Sequence, residues 1–444
     1  MNVGSFIFES YAYAPEKGVL TLAYTYENGL SFEEKIAFPL PVFPPDEQTS
    51  AALDTCFRLL FLLAGVSYYK AYAPERLICR AFPLDPVTAS FVEKVYRNGL
   101  GEFAYRNNLD LSDRLKFSVN NIAPPVARPV KLSPRPLVPV GGGKDSIVTI
   151  EALKKQGMQP ILFALGPKAP LPAPIAGTIG VSGLPFLKVE RTLSPTILEA
   201  NKSGALNGHV PITAILSVIA IATALLHGMD SVVLSNEHSA SAPNLVKDGQ
   251  EINHQYSKSF AFEKDLAAYV RGHITPDLHY FSLLRPLTEA AIAQRFAQDD
   301  AYDTVFRSCN TAFRQDAATR GAHWCGACPK CRFIFLALAN FMDKERLLRI
   351  FGANLLDDAA QTDAFAALCG IDAHKPFECV GTTQESTLLM EHLTHLDAWK
   401  NDAVVRELSS RFVATPEDFS AAYQALFTLQ DEHSIPPTYL EALL

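Results

Sequence analysis

A glycine-rich joint between a strand-like run and a helix sets the strongest constraint on the fold. The apolar run Leu137–Val140 passes through Gly141-Gly142-Gly143-Lys144-Asp145 into a helical stretch, Ser146–Gln156, which Gly157 stops. Three consecutive glycines let the backbone take positive φ and bring its N–H groups close to an anion. The helix start adds free N–H groups and the positive end of a dipole. The segment is a candidate site for phosphate, pyrophosphate in particular; a plain glycine turn capped by Asp145 is the alternative. Short apolar runs then alternate with helices: Ile161–Leu165, Phe186–Val189, a long apolar helix from Pro211, Ser231–Ser235 and Tyr280–Leu284. Such alternation predicts βαβ units, hence an α/β fold with a mostly parallel sheet covered by helices on both faces. Pro139 stands against a central place for the first strand.

The chain before this joint reads differently. Phe6–Tyr13 and Leu20–Tyr26 alternate apolar and polar residues across Pro15-Glu16-Lys17-Gly18, which predicts a hairpin, and Phe32–Phe38 supplies a third strand. Ala51–Leu63 has helical periodicity. Six prolines between Pro124 and Pro139 favour an extended connector. The expected organisation is a β-rich α+β domain over 1–122, a linker over 123–136, an anion-binding catalytic domain over 137–335 and a mainly helical region over 336–444.

Composition narrows the function classes. Of 444 residues, 39 are Lys or Arg against 47 Asp or Glu, a net charge of −8 that argues against bulk nucleic-acid binding. Val210–Leu226 approaches the length of a short membrane span, but Pro211, Thr213, Ser217 and Thr223 interrupt it and His227-Gly228 closes it, so a buried core helix and no membrane association are expected. Met1-Asn2-Val3-Gly4-Ser5 has neither the basic nor the apolar part of a secretion signal, so the eight cysteines are read as reduced and the protein as cytoplasmic.

The glycine joint is not a Walker loop, because Val138 stands at the first glycine position and Asp145 follows Lys144. Nor is it a dinucleotide fingerprint, because Ser146 replaces the third glycine. It resembles the PP-loop of ATP pyrophosphatases, Ser-Gly-Gly-x-Asp-Ser: Gly142-Gly143-Lys144-Asp145-Ser146 match, with Gly141 in place of the first serine. That resemblance implies a Rossmann-like PP-loop domain and cleavage of ATP between its α and β phosphates, with adenylation of a substrate. Ser235-Asn236-Glu237-His238-Ser239 falls at the C-terminal end of an expected strand, where open α/β sheets bind ligands. There Glu237 is a candidate for magnesium or a substrate amine, or else a simple cap.

Cys325, Cys328 and Cys331 recur at spacing three, with Cys309 sixteen residues upstream. Four thiolates so close suit a tetrahedral zinc site. The alternative, thiols packed on one helix face, conflicts with Gly326 and Pro329 between them. The cluster resembles the zinc knuckle of the queuosine-pathway deazaguanine synthases; a catalytic persulfide, as in some PP-loop thiolases, is the competing reading. Cys56, Cys79, Cys369 and Cys379 have no partner spacing and are read as buried apolar thiols.

Candidates for proton transfer lie in 253–259. In extended backbone His254, Tyr256 and Lys258 share one face; the first two suit acid–base work and Lys258 an anionic group, although a solvated loop has the same composition. His209, just before Pro211, is a candidate ligand contact or a core histidine. Arg285 is a candidate anion clamp or a surface arginine.

Gly208-His209-Val210-Pro211, Ser235-Asn236-Glu237, His254-Gln255-Tyr256-Ser257-Lys258-Ser259, Leu284-Arg285-Pro286-Leu287, Trp324-Cys325-Gly326 and Lys375-Pro376-Phe377-Glu378-Cys379-Val380-Gly381 follow the loop in order. Together they resemble the UDP-N-acetylmuramoyl-L-alanyl-L-glutamate epimerases of bacterial peptidoglycan synthesis (MurL type). The resemblance implies inversion of a terminal L-glutamyl residue with ATP converted to AMP and pyrophosphate, and hence ATP, Mg2+ and a UDP-sugar dipeptide as small-molecule partners. On this reading Gly141 to Ser146 take ATP, Glu237, His254, Tyr256 and Lys258 are the candidate catalytic group, and His209 and Arg285 the candidate substrate contacts; the resemblance does not say which residue is the base. A PP-loop ligase or RNA thiolase acting on another substrate is the runner-up.

Overall fold

The computed structural model describes residues 4–247, 249–314, 317–371, 375–412 and 416–443. Its strands are β1 (Phe6–Ala14), β2 (Val19–Tyr26), β3 (Ser31–Ala37), β4 (Arg76–Cys79), β5 (Lys116–Phe117), β6 (Ser133–Pro139), β7 (Ile161–Gly166), β8 (Phe186–Thr192), β9 (Met229–Leu234), the small hairpin β10 (Leu245–Lys247) and β11 (Gln250–Ile252), and β12 (His279–Ser282). All but the hairpin join one ten-stranded sheet in the order β12-β9-β6-β7-β8-β3-β2-β1-β4-β5. The α/β class and the mostly parallel sheet are as expected: β12, β9, β6, β7 and β8 run parallel, and only β1–β2, β2–β3 and β3–β8 are antiparallel.

The division drawn at 123–136 does not separate two sheets. β3 pairs with β8, Ile36 opposite Arg191, so the N-terminal meander extends the sheet that carries the glycine loop. β6 itself begins inside the proline-rich connector. At this seam the buried Glu34 accepts from Arg191 Nε at 2.6 Å and from Tyr68 Oη at 2.8 Å, while Arg191 Nη2 also donates to Ser67 at 3.0 Å. A buried ion pair persists only with its remaining polar atoms satisfied, as they are here.

β6 is central despite Pro134, Pro136 and Pro139, and its pairing shows the consequence. Register with β9 breaks between Ser133 and Pro136, and the Arg135 N–H goes to the Asp230 carboxylate at 3.2 Å instead of a ladder partner. The side-chain alternation of the central strands then divides two cores. Leu137, Phe163 and Val232 face helices Glu47–Ala64 and Ile212–Leu226 together with the aromatic N-terminal strands. Val138, Leu162, Ala164 and Val233 face helices Lys144–Lys155, Glu289–Ala297, Pro329–Ala339 and Thr383–Thr394. The apolar helix from Ile212 is a buried core element. The 23-residue stretch Glu47–Tyr69 is long and apolar enough to cross a membrane by composition, and 72% of its window is buried within the protein. It presents Phe61 to Tyr24 with ring centroids 5.1 Å apart, and Cys56 Sγ donates to Val218 O at 3.6 Å.

Candidate active site

Because β6, β9 and β12 are parallel, their C-terminal ends release three neighbouring loops: 140–143, 235–237 and 283–288. Open α/β sheets bind ligands at this edge. In the first loop Gly142 has φ +75°, and a Cβ there would lie 2.7 Å from the Pro174 backbone carbon, so only glycine fits. The helix begins at Lys144, earlier than the sequence indicates, with Gly143 as N-cap and no side chain capping it. Its first-turn N–H groups therefore remain free for an anion. Lys144 does not reach toward that space. Its side chain is 2% exposed and turns inward to pair with Asp145 and Glu289. Burial disfavours its charge, but the two carboxylates outweigh that and hold it well above the ordinary lysine range.

Glu237, buried after β9, and Arg285, after β12, belong to one network. Arg285 is 1% exposed; Nη1 donates to Glu237 O at 2.6 Å, Nη2 to Lys258 O at 2.7 Å, and the guanidinium pairs with Glu263 at 2.8 Å. With Nε, Nη1 and Nη2 all donating within the protein, Arg285 is a positioning residue, which fixes the backbones of Glu237 and Lys258. The Lys258 side chain then reaches Cys379, Nζ to Sγ 3.3 Å. Burial pushes the ammonium down, and Cys379, Glu237 and Asp145 more than restore it, leaving it raised.

Cys379 corrects the sequence reading. It is half-buried, in 375–381, and not an inert core thiol. Burial alone would raise its pKa, but Lys258, the neighbouring His254 and the charge of Lys330 bring it down to about 6. His254 is the converse: burial lowers it, and Cys379 together with the bonded Glu102 raises it to about 9. Glu102, in the short helix Gly101–Arg106, is bonded to His254 Nδ1 and to Arg106 Nε. Burial pushes Glu102 up, while His254, His209 and Arg106 hold it below the usual carboxylate range. His209 lies beside His254, ring centroids 4.2 Å apart, and burial together with the His254 charge depresses it to about 4. One ligand atom each from Glu102, His209 and His254 falls within 4.8 Å of the others. With His254 protonated and locked onto Glu102, the trio is a charge pair beside a neutral imidazole.

The expected common face of His254, Tyr256 and Lys258 does not form. Tyr256–Lys258 is a 3-10 turn, not extended backbone, so Tyr256 departs from its neighbours. Its ring packs on Phe262, and it lines a separate cavity with Asn98, Ser241, Glu251 and Asn253. Sequence reasoning missed Glu102, which is distant in the chain, and Lys375, which burial lowers and whose charge is felt among Glu385, Glu237, Glu289 and Cys379. Cys379 and Lys375 both lay in the segment Lys375–Gly381 already singled out as a motif.

The four cysteines Cys309, Cys325, Cys328 and Cys331 converge, their sulfurs within 4.8 Å of one another. Cys328 and Cys325 lie 3.4 and 3.6 Å from Cys331, near the sulfur–sulfur edge of about 3.8 Å that follows from zinc–sulfur bonds of about 2.3 Å in a tetrahedron. The residues thus fit a structural metal ion. The cluster also braces the site: Arg307 N–H donates to Gly142 O at 2.7 Å, and Asn310 Nδ2 to Glu378 Oε1 at 2.5 Å, next to Cys379.

Known proteins resemble this chain in sequence over nearly its whole length. The family model of the MurL N-terminal domain matches residues 1–283, and that of the MurL C-terminal domain matches 305–423. Three proteins named UDP-N-acetyl-alpha-D-muramoyl-L-alanyl-L-glutamate epimerase are close in sequence. The chain is 42% identical over 440 residues to that of Xanthomonas oryzae pv. oryzae, covering 99% of this chain and 97% of the relative. It is 45% identical over 449 residues to that of Micromonospora sp., covering 100% and 98%. The relative from Salinispora tropica is 43% identical over 449 residues, covering 100% and 96%.

Proposed function

The chain belongs to the MurL epimerase family, and from that membership we propose that it inverts the terminal L-glutamyl residue of UDP-N-acetylmuramoyl-L-alanyl-L-glutamate to D-glutamyl, converting ATP to AMP and pyrophosphate. The observation that supports this chemistry is an uncapped glycine loop whose Asp145 lies within electrostatic reach of Lys258, which is itself bonded to Cys379 beside His254 and Glu102. A free carboxylate resists loss of its Cα proton, because a second negative charge would develop beside the first. Transfer of the adenylyl group to the glutamyl carboxylate, with pyrophosphate leaving, removes that charge and makes the enolate accessible. Removal of the proton from one face, its return to the other and hydrolysis of the acyl-adenylate complete the inversion, and donors aimed at the enolate oxygen supply much of the stabilisation.

In this reading the amides of Gly141 to Ser146 receive the ATP phosphates. Asp145 and Glu237 supply oxygen ligands for Mg2+, which neutralises phosphate charge when bound. Zinc at the four cysteines holds the 307–331 segment against the loop. An open cavity of about 520 Å3 lined by Tyr105, Arg106, Asn108, Leu245, Val246 and Lys247 lies next along the chain from Glu102, and its two cations and aromatic ring suit the UDP moiety. An ATP- and UDP-dependent reaction belongs in the cytoplasm. The test is to incubate the protein with ATP, Mg2+ and the UDP-linked L-Ala-L-Glu substrate and to measure AMP and glutamate chirality. AMP together with D-glutamate is expected; AMP without inversion would favour an adenylating ligase, and neither product would refute the reading.

A further inference from the structure

We propose that Cys379 is the base that removes the Cα proton, its sulfur held as a thiolate by Lys258 and by a His254 imidazole that Glu102 fixes from behind. The proposal rests on the epimerase reading and adds to it the residue that performs the central step. Three features of the surroundings carry it. First, Lys258 Nζ sits 3.3 Å from Sγ, and the His254 ring, its Nδ1 engaged by Glu102, is an electrostatic partner of the same sulfur. This is the arrangement of an activated thiol, with a partner that is itself oriented by a third group.

Second, the cations are not loose surface groups. The Lys258 carbonyl is clamped by Arg285, which is pinned by Glu263, and Glu102 is only 6% exposed at its side chain. Third, the backbone on both sides of the sulfur is anchored. Glu378 is held by Asn310 and lies 3.7 Å from Lys330, Val380 is buried, and Gly381 would place any Cβ 2.6 Å from the Phe333 ring. The charged groups around the thiol are Lys258, His254, Lys330 and Lys375, with Glu102 and Glu237 behind the first two and Glu378 beside Lys330. The balance is cationic, and it favours the thiolate.

In the step, the thiolate takes the Cα proton and becomes a thiol. The C–H electron pair passes into the enolate of the adenylated glutamyl group, and a solvent-derived proton enters at the opposite face. The thiol then returns its proton to solvent.

The experiment uses the full chain with ATP, Mg2+ and the UDP-linked L-Ala-L-Glu substrate in D2O, following AMP, D-glutamyl product and Cα deuterium. The wild type should release AMP and yield D-glutamyl product carrying deuterium. Cys379→Ser and Cys379→Ala should lose inversion and Cα exchange by at least about a hundredfold more than they lose AMP release, the scale of a general base. Inversion by either variant within tenfold of the wild type would overturn the assignment, as would a parallel loss of AMP, which would place Cys379 before proton removal. A glutamyl thioester on Cys379, seen as substrate mass on the peptide that carries it after acid quench, would overturn it in favour of a nucleophile. Absence of D-glutamyl product from the wild type would instead remove the reading beneath the proposal. In the unmutated protein, iodoacetamide should alkylate Cys379 with a pH midpoint near 6; an ordinary thiol midpoint would also overturn it.

Discussion

Glu102→Gln isolates the charge that holds His254 protonated. Glutamine keeps the length of the side chain and one acceptor for Nδ1, and removes the negative charge from a position 6% exposed together with the acceptor that Arg106 Nε uses. The rise of His254 from 6.5 to about 9 corresponds to about 3 kcal/mol of preference for the imidazolium. Two partners, Cys379 and Glu102, supply it against burial. Because the partners also offset burial, loss of the Glu102 charge should lower the His254 midpoint by at least about one pH unit, on the order of 1–2 kcal/mol. The sign for stability follows from the same shift. A group whose pKa is raised on folding contributes fully below its unfolded value, near 6.5, and the contribution fades as pH rises through about 9. Cys379, lowered to about 6, behaves oppositely: its contribution is full above its unfolded value of 9.0 and fades as pH falls through about 6. The thiolate–imidazolium pair therefore populates the window between about 6 and 9.

The direct assay is an NMR titration of the His254 ring in isotope-labelled protein, wild type against Glu102→Gln, accompanied by thermal unfolding across the same pH range. The variant should be the less stable of the two near pH 6, and the gap should narrow as pH rises through 9 and the wild-type imidazole loses its proton. A His254 midpoint that does not move, or a stability gap that stays constant across the window, refutes the electrostatic account of the site.

Two further perturbations test the loop and its brace. Gly142→Ala should lower stability by at least about 1–2 kcal/mol through its left-handed φ, with added strain against the Pro174 and Ile175 backbone, whereas Gly141→Ala, whose Cβ would meet open space, should melt with the wild type. Equal melting of the two in calorimetry would refute the packing argument. Elemental analysis should find about one zinc per chain, and stripping it with a chelator should depress AMP release, because the cysteine-bearing segment carries Arg307 onto Gly142 and Asn310 onto Glu378. Metal-free protein with full activity would refute the brace.

The parts of this molecule that were legible in its sequence are those written in local spacing. The strand–glycine–helix joint, the run of parallel strands and the CxxCxxC cluster each announce themselves within a few residues, and the structure forms all three, with the helix of the joint starting two residues early. The face assigned to His254, Tyr256 and Lys258 failed because it assumed extended backbone, and a 3-10 turn at Tyr256 changes which side chains share a direction. Arg285 was legible as important but not as buried, since nothing local reveals that Glu263 would meet it. Glu102 could not be read at all: it is separated from His254 by 152 residues, and only the tertiary fold brings them together.

That tertiary pairing gives the N-terminal region a role beyond support. β3 joins β8 through the buried Glu34–Arg191 pair, so the N-terminal strands and the glycine-loop strands form one sheet. Helix Gly101–Arg106, in the same N-terminal region, delivers Glu102 to His254. On the other face the C-terminal helices share a core with the helix that follows the glycine loop, and the segment ahead of helix Thr383–Thr394 presents Cys379. The residues that polarise the thiol thus come from three distant stretches of chain, Glu102, His254 with Lys258, and Cys379. They meet only when both cores are complete, so the low thiol pKa is a property of the finished fold. A chain cut at residues 123–136 would keep the glycine loop, His254, Lys258 and Cys379 but lose Glu102, so the N-terminal region enters the site through the carboxylate that fixes His254.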